Sequence, residues 1–212
     1  MPLTWPENFA PIVAILRGVR TEEIDAIAAG LVDAGIGAIE VPLNSPSPID
    51  TIARLCAQFG DRCLCGAGTV LEPRDVEAVH GVGGRLIVTP NTEPAVIERA
   101  VELGLTVMPG FATATEAFRA LRAGAQSLKL FPAGTYGPSH LRALRDVLPK
   151  NVPLFAVGGV GRNNLATWFD AGVFGVAIGG ELYRPGDAAD VIAERARALV
   201  GSWRALSTRT TS

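Results

Sequence analysis

Lys129 and Glu40 are the residues of this chain whose type and setting invite chemistry. Of nineteen basic residues only Lys129 and Lys150 are lysines, and the other seventeen are arginines. Lys129 lies inside the apolar run Ser127-Leu-Lys-Leu-Phe-Pro-Ala133. An arginine there would stay protonated, whereas a desolvated lysine can lose its proton and become a nucleophile. Amine nucleophiles of this kind form Schiff bases with carbonyl substrates. A lysine snorkelling from a strand end, or an edge-strand charge, is the alternative. Period-two alternation puts Lys129 and Phe131 on one strand face, and Glu40, Pro42 and Asn44 on one face of another. Leu128, Leu130, Ile39 and Val41 suit a helix-packed outer face, so Lys129 and Glu40 should point inward. Such a pair is either a nucleophile with its acid–base partner or a buried ion pair, and parity leaves both open.

An ordinary lysine is neutral in only about one molecule in a thousand at neutral pH, and lowering its pKa by ~3 units costs near 4 kcal/mol. Desolvation and the positive charge of Arg17 push that way, while an adjacent Glu40 carboxylate pushes back. Glu40 is therefore expected to act at a distance or through water. Further polar residues fall at the ends of apolar runs: Arg17-Gly18, Gly66-Ala-Gly-Thr69, Thr89-Pro-Asn91 and Pro109-Gly110. Two glycine pairs, Gly158-Gly159 and Gly179-Gly180, follow the last two runs. Exposed backbone N–H groups at such a place bind phosphate, although glycines also simply allow tight turns. Arg17 would then serve a second anion such as a carboxylate.

These residues need strands to aim them. Candidate strands are Ile12-Gly18, Ala38-Asn44, Cys63-Val70, Leu86-Asn91, Thr106-Ala112, Ser127-Ala133, Pro153-Val160 and Val173-Gly179, each followed by a helical pattern. Glycines such as Gly35, Gly104, Gly124 and Gly172 mark helix ends. Eight short βα units predict an α/β fold, a single (β/α)8 TIM barrel, over residues 1–212. A doubly wound open sheet is the main rival, but no G-x-G-x-x-G opens the first helix. Residues from about 204 to 212 read as a frayed polar tail.

Hydrophobic content of 48% supports a sizeable core, and a net charge of −2 gives no electrostatic case for nucleic acid or an anionic membrane as partner. The polar start is not a signal peptide, and no apolar stretch approaches a membrane span. Cys56, Cys63 and Cys65 lack zinc or CxxC spacing and read as free thiols in a cytoplasmic chain. His80 and His140 lie on helical patterns, so no metal or cofactor is expected. Trp5, Trp168 and Trp203 read as helix-packing anchors.

As an ordered set, Ala14-Ile-Leu-Arg-Gly18, Ala38-Ile-Glu-Val-Pro-Leu-Asn-Ser-Pro46, Gly66-Ala-Gly-Thr-Val70, Ile87-Val-Thr-Pro-Asn91, Met108-Pro-Gly110, Leu128-Lys-Leu-Phe-Pro-Ala133, Phe155-Ala-Val-Gly-Gly-Val160 and Leu182-Tyr-Arg184 resemble the bacterial 2-keto-3-deoxy-6-phosphogluconate/galactonate aldolase family. The resemblance implies a metal-independent class I lyase, a homotrimer, that splits a phosphorylated keto-deoxy sugar acid into pyruvate and D-glyceraldehyde 3-phosphate. It implies Lys129 as Schiff-base nucleophile, Glu40 as general acid/base, and Arg17, Thr69 and Pro90 around the pyruvate carboxylate. Phe131 would pack beside the lysine, and Gly158, Gly159, Gly179 and Gly180 would hold phosphate. Asn44 and Val157 stand where the gluconate enzymes carry arginine and threonine, which resembles the galactonate branch. Gly180 replaces a serine common in relatives. The same chemistry on the gluconate epimer, dual specificity, a phosphate-binding barrel isomerase and a sugar-phosphate-binding barrel are the alternatives.

Overall fold

The computed structural model describes residues 3–209. Among these residues the strands are β1 (Ala10–Ile15), β2 (Ile36–Pro42), β3 (Leu64–Gly68), β4 (Leu86–Val88), β5 (Thr106–Met108), β6 (Gly110–Phe111), β7 (Leu128–Leu130), β8 (Leu154–Val157) and β9 (Gly175–Ile178). They form one sheet of order β5-β4-β3-β2-β1-β9-β8-β7-β6, and every pairing is parallel. The two ends of that order are consecutive pieces of one strand, so the sheet closes on itself as a (β/α)8 barrel.

The run expected as a single fifth strand is broken at Pro109, which has no N–H to give a ladder. β5 pairs with β4 and β6 with β7, while the Pro109 carbonyl accepts from Lys129 N at 2.9 Å. Parallel strands need crossovers, and seven helices supply them: α1 (Ile24–Ala34), α2 (Pro48–Phe59), α3 (Pro73–Gly81), α4 (Pro94–Glu102), α5 (Ala114–Arg122), α6 (Ala133–Arg145) and α7 (Leu165–Asp170); α8 (Ala189–Arg209) follows the last strand. Helix α1 stops at Gly35, whose φ of 98° is left-handed and lets its N–H close on Leu31 and Val32 carbonyls. Helix α5 starts with a capping box between Thr113 and Glu116.

Strand parity sorts the core into two layers. Val13, Ala38, Leu64, Leu86, Val88, Met108, Phe155, Val157 and Ala177 fill the barrel, whereas Ile39, Val41, Cys63, Cys65, Leu128 and Leu130 face the helices. Trp168 and Trp203 are buried in the helix layer, where Trp203 meets Phe169 edge-on with centroids 5.3 Å apart. Trp5 departs from the sequence reading as a helix-packing anchor. It plugs the barrel where the strands begin, 5.6 Å from Phe155 and 6.1 Å from Phe174 between ring centroids, and its indole N–H donates to Ala10 O at 3.3 Å. Gly37 makes room for it, since a Cβ there would stand 2.5 Å from the indole nitrogen.

The expected frayed tail from about residue 204 is also corrected. Helix α8 continues to Arg209, because Trp203 and Leu206 fall three apart on its buried face. Residues 210–212 lie outside the described residues. No helix among the described residues is long and apolar enough to cross a membrane.

Candidate active site

β2 and β7 carry Glu40 and Lys129 into the barrel. All seven residues of β2 are buried, and Ala38 and Glu40 alternate with the outward Ile39 and Val41. Lys129 lies on the short strand β7, in register with Gly110 of β6 and Phe155 of β8, between the outward Leu128 and Leu130. Glu40 is 4% exposed and Lys129 6%, so both side chains are nearly stripped of bulk water. Among the described residues no ion pair within 4.0 Å joins the two, and Glu40 Oε2 is buried without a hydrogen-bond partner. The lysine ammonium instead stands 4.8 Å from the centroid of the Phe131 ring.

Burial moves both groups toward neutrality. The Glu40 carboxyl is pushed up to about 7 by desolvation, against the pull of Lys129 and Arg17. The Lys129 amine is brought down to about 8 by desolvation, opposed by Glu40 and assisted by Arg17. An amine at that value is free base in about one molecule in ten at neutral pH, on the order of a hundredfold more than an ordinary lysine.

Arg17 follows β1 and is exposed at the mouth formed by the strand ends. One guanidinium nitrogen donates to Asn44 Oδ1 at 2.6 Å and another reaches Thr69 Oγ1 at 3.5 Å, tying the loops after β1, β2 and β3 together. Thr69 holds φ 56°, a left-handed value uncommon for a β-branched residue and one that recurs at ligand sites. Ser45 accepts from Gly18 N at 2.9 Å and braces the same junction. A cavity of about 540 Å³ opens beside this cluster. It brings together Arg17, Phe131, Val157, Gly158, Gly159, Gly179 and Gly180 from the sequence-derived set. Asn44 and Thr69 adjoin it through Arg17 and Lys129 through Phe131, but Glu40, Lys129, Asn44, Thr69 and Pro90 are not on its wall. Pro90 stands just past β4, its carbonyl so near β6 that a Cβ on Gly110 would be 2.3 Å away.

Gly158 and Gly159 take φ values of 88° and 72°, turning the chain after β8, and the Gly158 carbonyl accepts from Gly134 N at 2.8 Å. The cavity is also lined by residues to which the sequence reading assigned no role: Glu181, Tyr183, Arg184 and Pro185. Arg184 Nε donates to Gly180 O at 2.9 Å, so a cation is tethered to the second glycine pair while the Glu181 carboxylate stands beside it. Their signal was position alone, polar residues directly after a glycine pair. His140 is satisfied by Ala112 O at 2.6 Å and stacks on Tyr136. Among the described residues no group of three or more His, Cys, Asp and Glu could hold a metal ion.

The site combines a buried amine of lowered basicity, a buried carboxylate poised near neutrality, an arginine fork and a glycine-lined cavity. That set can attack a carbonyl, shuttle protons and hold anions. Comparison with known proteins agrees in kind. A family model described as KDPG and KHG aldolase matches residues 7–194. A 2-dehydro-3-deoxy-6-phosphogalactonate aldolase of Escherichia coli (strain K12) is 50% identical over 194 residues, 92% of this chain and 95% of its own. A solved structure described as native KDPGal superposes with a TM-score of 0.94 at 47% identity, covering 98% of this chain and 100% of that one. A cube-shaped protein cage, designed by fusing symmetric oligomeric domains, matches with a TM-score of 0.94 at 48% identity, covering 95% of this chain and 75% of that one.

Proposed function

The chain belongs to the KDPG and KHG aldolase family, and from that premise we propose that it cleaves 2-dehydro-3-deoxy-6-phosphogalactonate to pyruvate and D-glyceraldehyde 3-phosphate through an imine on Lys129. The observation that carries the reading is the buried Lys129 amine, lowered to about 8 and free of any close ion pair, beside a glycine-lined cavity that Arg17 borders.

In the proposed sequence, neutral Lys129 Nζ adds to the C2 ketone and loss of water leaves an iminium. A base takes the proton of the C4 hydroxyl, the C3–C4 bond breaks, and its electron pair flows into the iminium to give the enamine of pyruvate. The aldehyde departs, the enamine is protonated at C3, and water hydrolyses the resulting imine to release pyruvate and the amine. Glu40 serves both proton transfers through an intervening water, a role suited to a carboxyl near 7 because both of its forms are populated at neutral pH. Arg17, Thr69 and Pro90 receive the pyruvate carboxylate, and Phe131 packs beside the lysine. Gly158, Gly159, Gly179 and Gly180 receive phosphate, and Asn44 and Val157 flank the sugar chain. No metal or cofactor is required. We further propose a cytoplasmic homotrimer acting in galactonate catabolism; the cage of symmetric oligomeric domains supports an oligomer, and the 50% identical relative supports the galactonate epimer. Comparing kcat/KM for the galactonate and gluconate phosphates, with pyruvate release as readout, tests the assignment. Preference for the galactonate compound is expected, and preference for the gluconate compound would overturn the choice of epimer.

A further inference from the structure

Glu40 raises a question that its own strand does not answer: what holds a carboxylate inside an apolar barrel without a hydrogen bond to one of its oxygens? The neighbour β3 presents Leu64, Gly66 and Gly68 to the interior, and strand register sets Glu40 against Gly66 and Pro42 against Gly68. The two glycines make room for different things. A Cβ on Gly66 would fall 1.9 Å from Leu86 O and 2.7 Å from Leu86 N, so this glycine lets the β3 and β4 backbones approach. A Cβ on Gly68 would fall 1.5 Å from Glu40 Oε2, 2.2 Å from Cδ and 2.5 Å from Oε1. The carboxylate therefore fills the volume that a side chain at position 68 would occupy.

We propose that Gly68 is a positioning residue for proton transfer, its bare backbone forming a notch that seats the Glu40 carboxylate and keeps it out of ion-pair reach of Lys129. The inference rests on the aldolase reading of Lys129 and Glu40. The charged groups acting on Glu40 are Lys129 and Arg17, so a carboxylate expelled from the notch moves into a lumen that contains the nucleophile. There it would raise the protonated fraction of Lys129, which slows imine formation without abolishing it, and would lose its alignment with the substrate carbons. Misplacement by about 1 Å costs on the order of 10²-fold in rate, within the range that general acid–base catalysis contributes.

The test is Gly68→Ala, alone and combined with Glu40→Ala. The obstacle to the new methyl is the mobile end of a side chain rather than backbone, so Gly68→Ala is expected to fold. Its pyruvate adduct should still be trapped by borohydride at Lys129, while exchange of the pyruvate methyl protons with deuterated solvent falls on the order of 10²-fold. Removing the carboxylate should erase the effect, the double variant exchanging at the rate of Glu40→Ala. Wild-type exchange in Gly68→Ala, loss of trapping in that variant, or further loss in the double variant would overturn the proposal. If Gly68→Ala does not fold, a folded double variant supports the notch, because the clash is then with the carboxylate, and an unfolded one overturns it. Failure of the unmutated protein to trap pyruvate would instead reject the aldolase reading itself.

Discussion

Replacing Glu40 by glutamine should change how stability depends on pH. Burial lifts the carboxyl from 4.5 to about 7, against the attraction of Lys129 and Arg17. Between those pH values the folded protein keeps a proton that the unfolded chain has released, so stability falls as pH rises. At about 1.36 kcal/mol per pH unit, the window from 4.5 to about 7 removes about 3 kcal/mol. This contribution is fully present below about pH 4.5 and lost above about pH 7. Lys129 behaves in mirror image: its pKa is lowered from 10.5 to about 8, so its contribution is present above about pH 10.5 and lost as pH falls through about 8. Glu40→Gln keeps the volume and removes the carboxyl's titration. Urea unfolding at about pH 4 and pH 7.5, at one fixed protein concentration because an oligomer's stability depends on it, reads the effect. The stability of the variant relative to the parent should rise by about 3 kcal/mol between the two pH values. A relative stability constant within about 0.5 kcal/mol would refute burial as the cause of the carboxyl's shift.

Two further outcomes follow from the geometry. Trp5→Ala should lower stability by about 3 kcal/mol in denaturant unfolding, the low end for a buried aromatic because Trp5 is only half-buried, while leaving the lysine reactive. A loss under about 1 kcal/mol would contradict its role as the barrel's plug. Gly180→Ser should lower KM for the phosphorylated substrate about tenfold with kcat unchanged, since the added side chain meets nothing within 4 Å and brings a hydroxyl donor to an anion. An unchanged KM would place the phosphate elsewhere.

Much of this arrangement was legible in the sequence, for reasons tied to particular residues. Leu128 and Leu130 flank Lys129, and Ile39 and Val41 flank Glu40, so alternation alone aimed both inward. The glycine pairs sit at the ends of clean apolar runs, which located the cavity they line. The break at Pro109 was harder, because the apolar run continues through it and only the ladder reveals the missing donor. The polar letters after Arg204 concealed one buried position, Leu206, which with Trp203 keeps α8 helical. Trp5 belongs to no periodic pattern, and its partners Gly37, Phe155 and Phe174 come from distant strands and loops. The Gly68 notch lay beyond reach for a related reason. A missing side chain has no signature until strand register sets it against the group that fills its space.

The central claim is that Lys129 bonds covalently to pyruvate. Incubating the protein with pyruvate and borohydride, then mapping the adduct by peptide mass spectrometry, addresses it most directly. The account predicts one reduced pyruvate adduct, on Lys129, and none in Lys129→Arg, which keeps the charge but has no nucleophilic amine. An adduct on Lys150 or the N-terminus with Lys129 unmodified, or cleavage near the parent rate in Lys129→Arg, would contradict it.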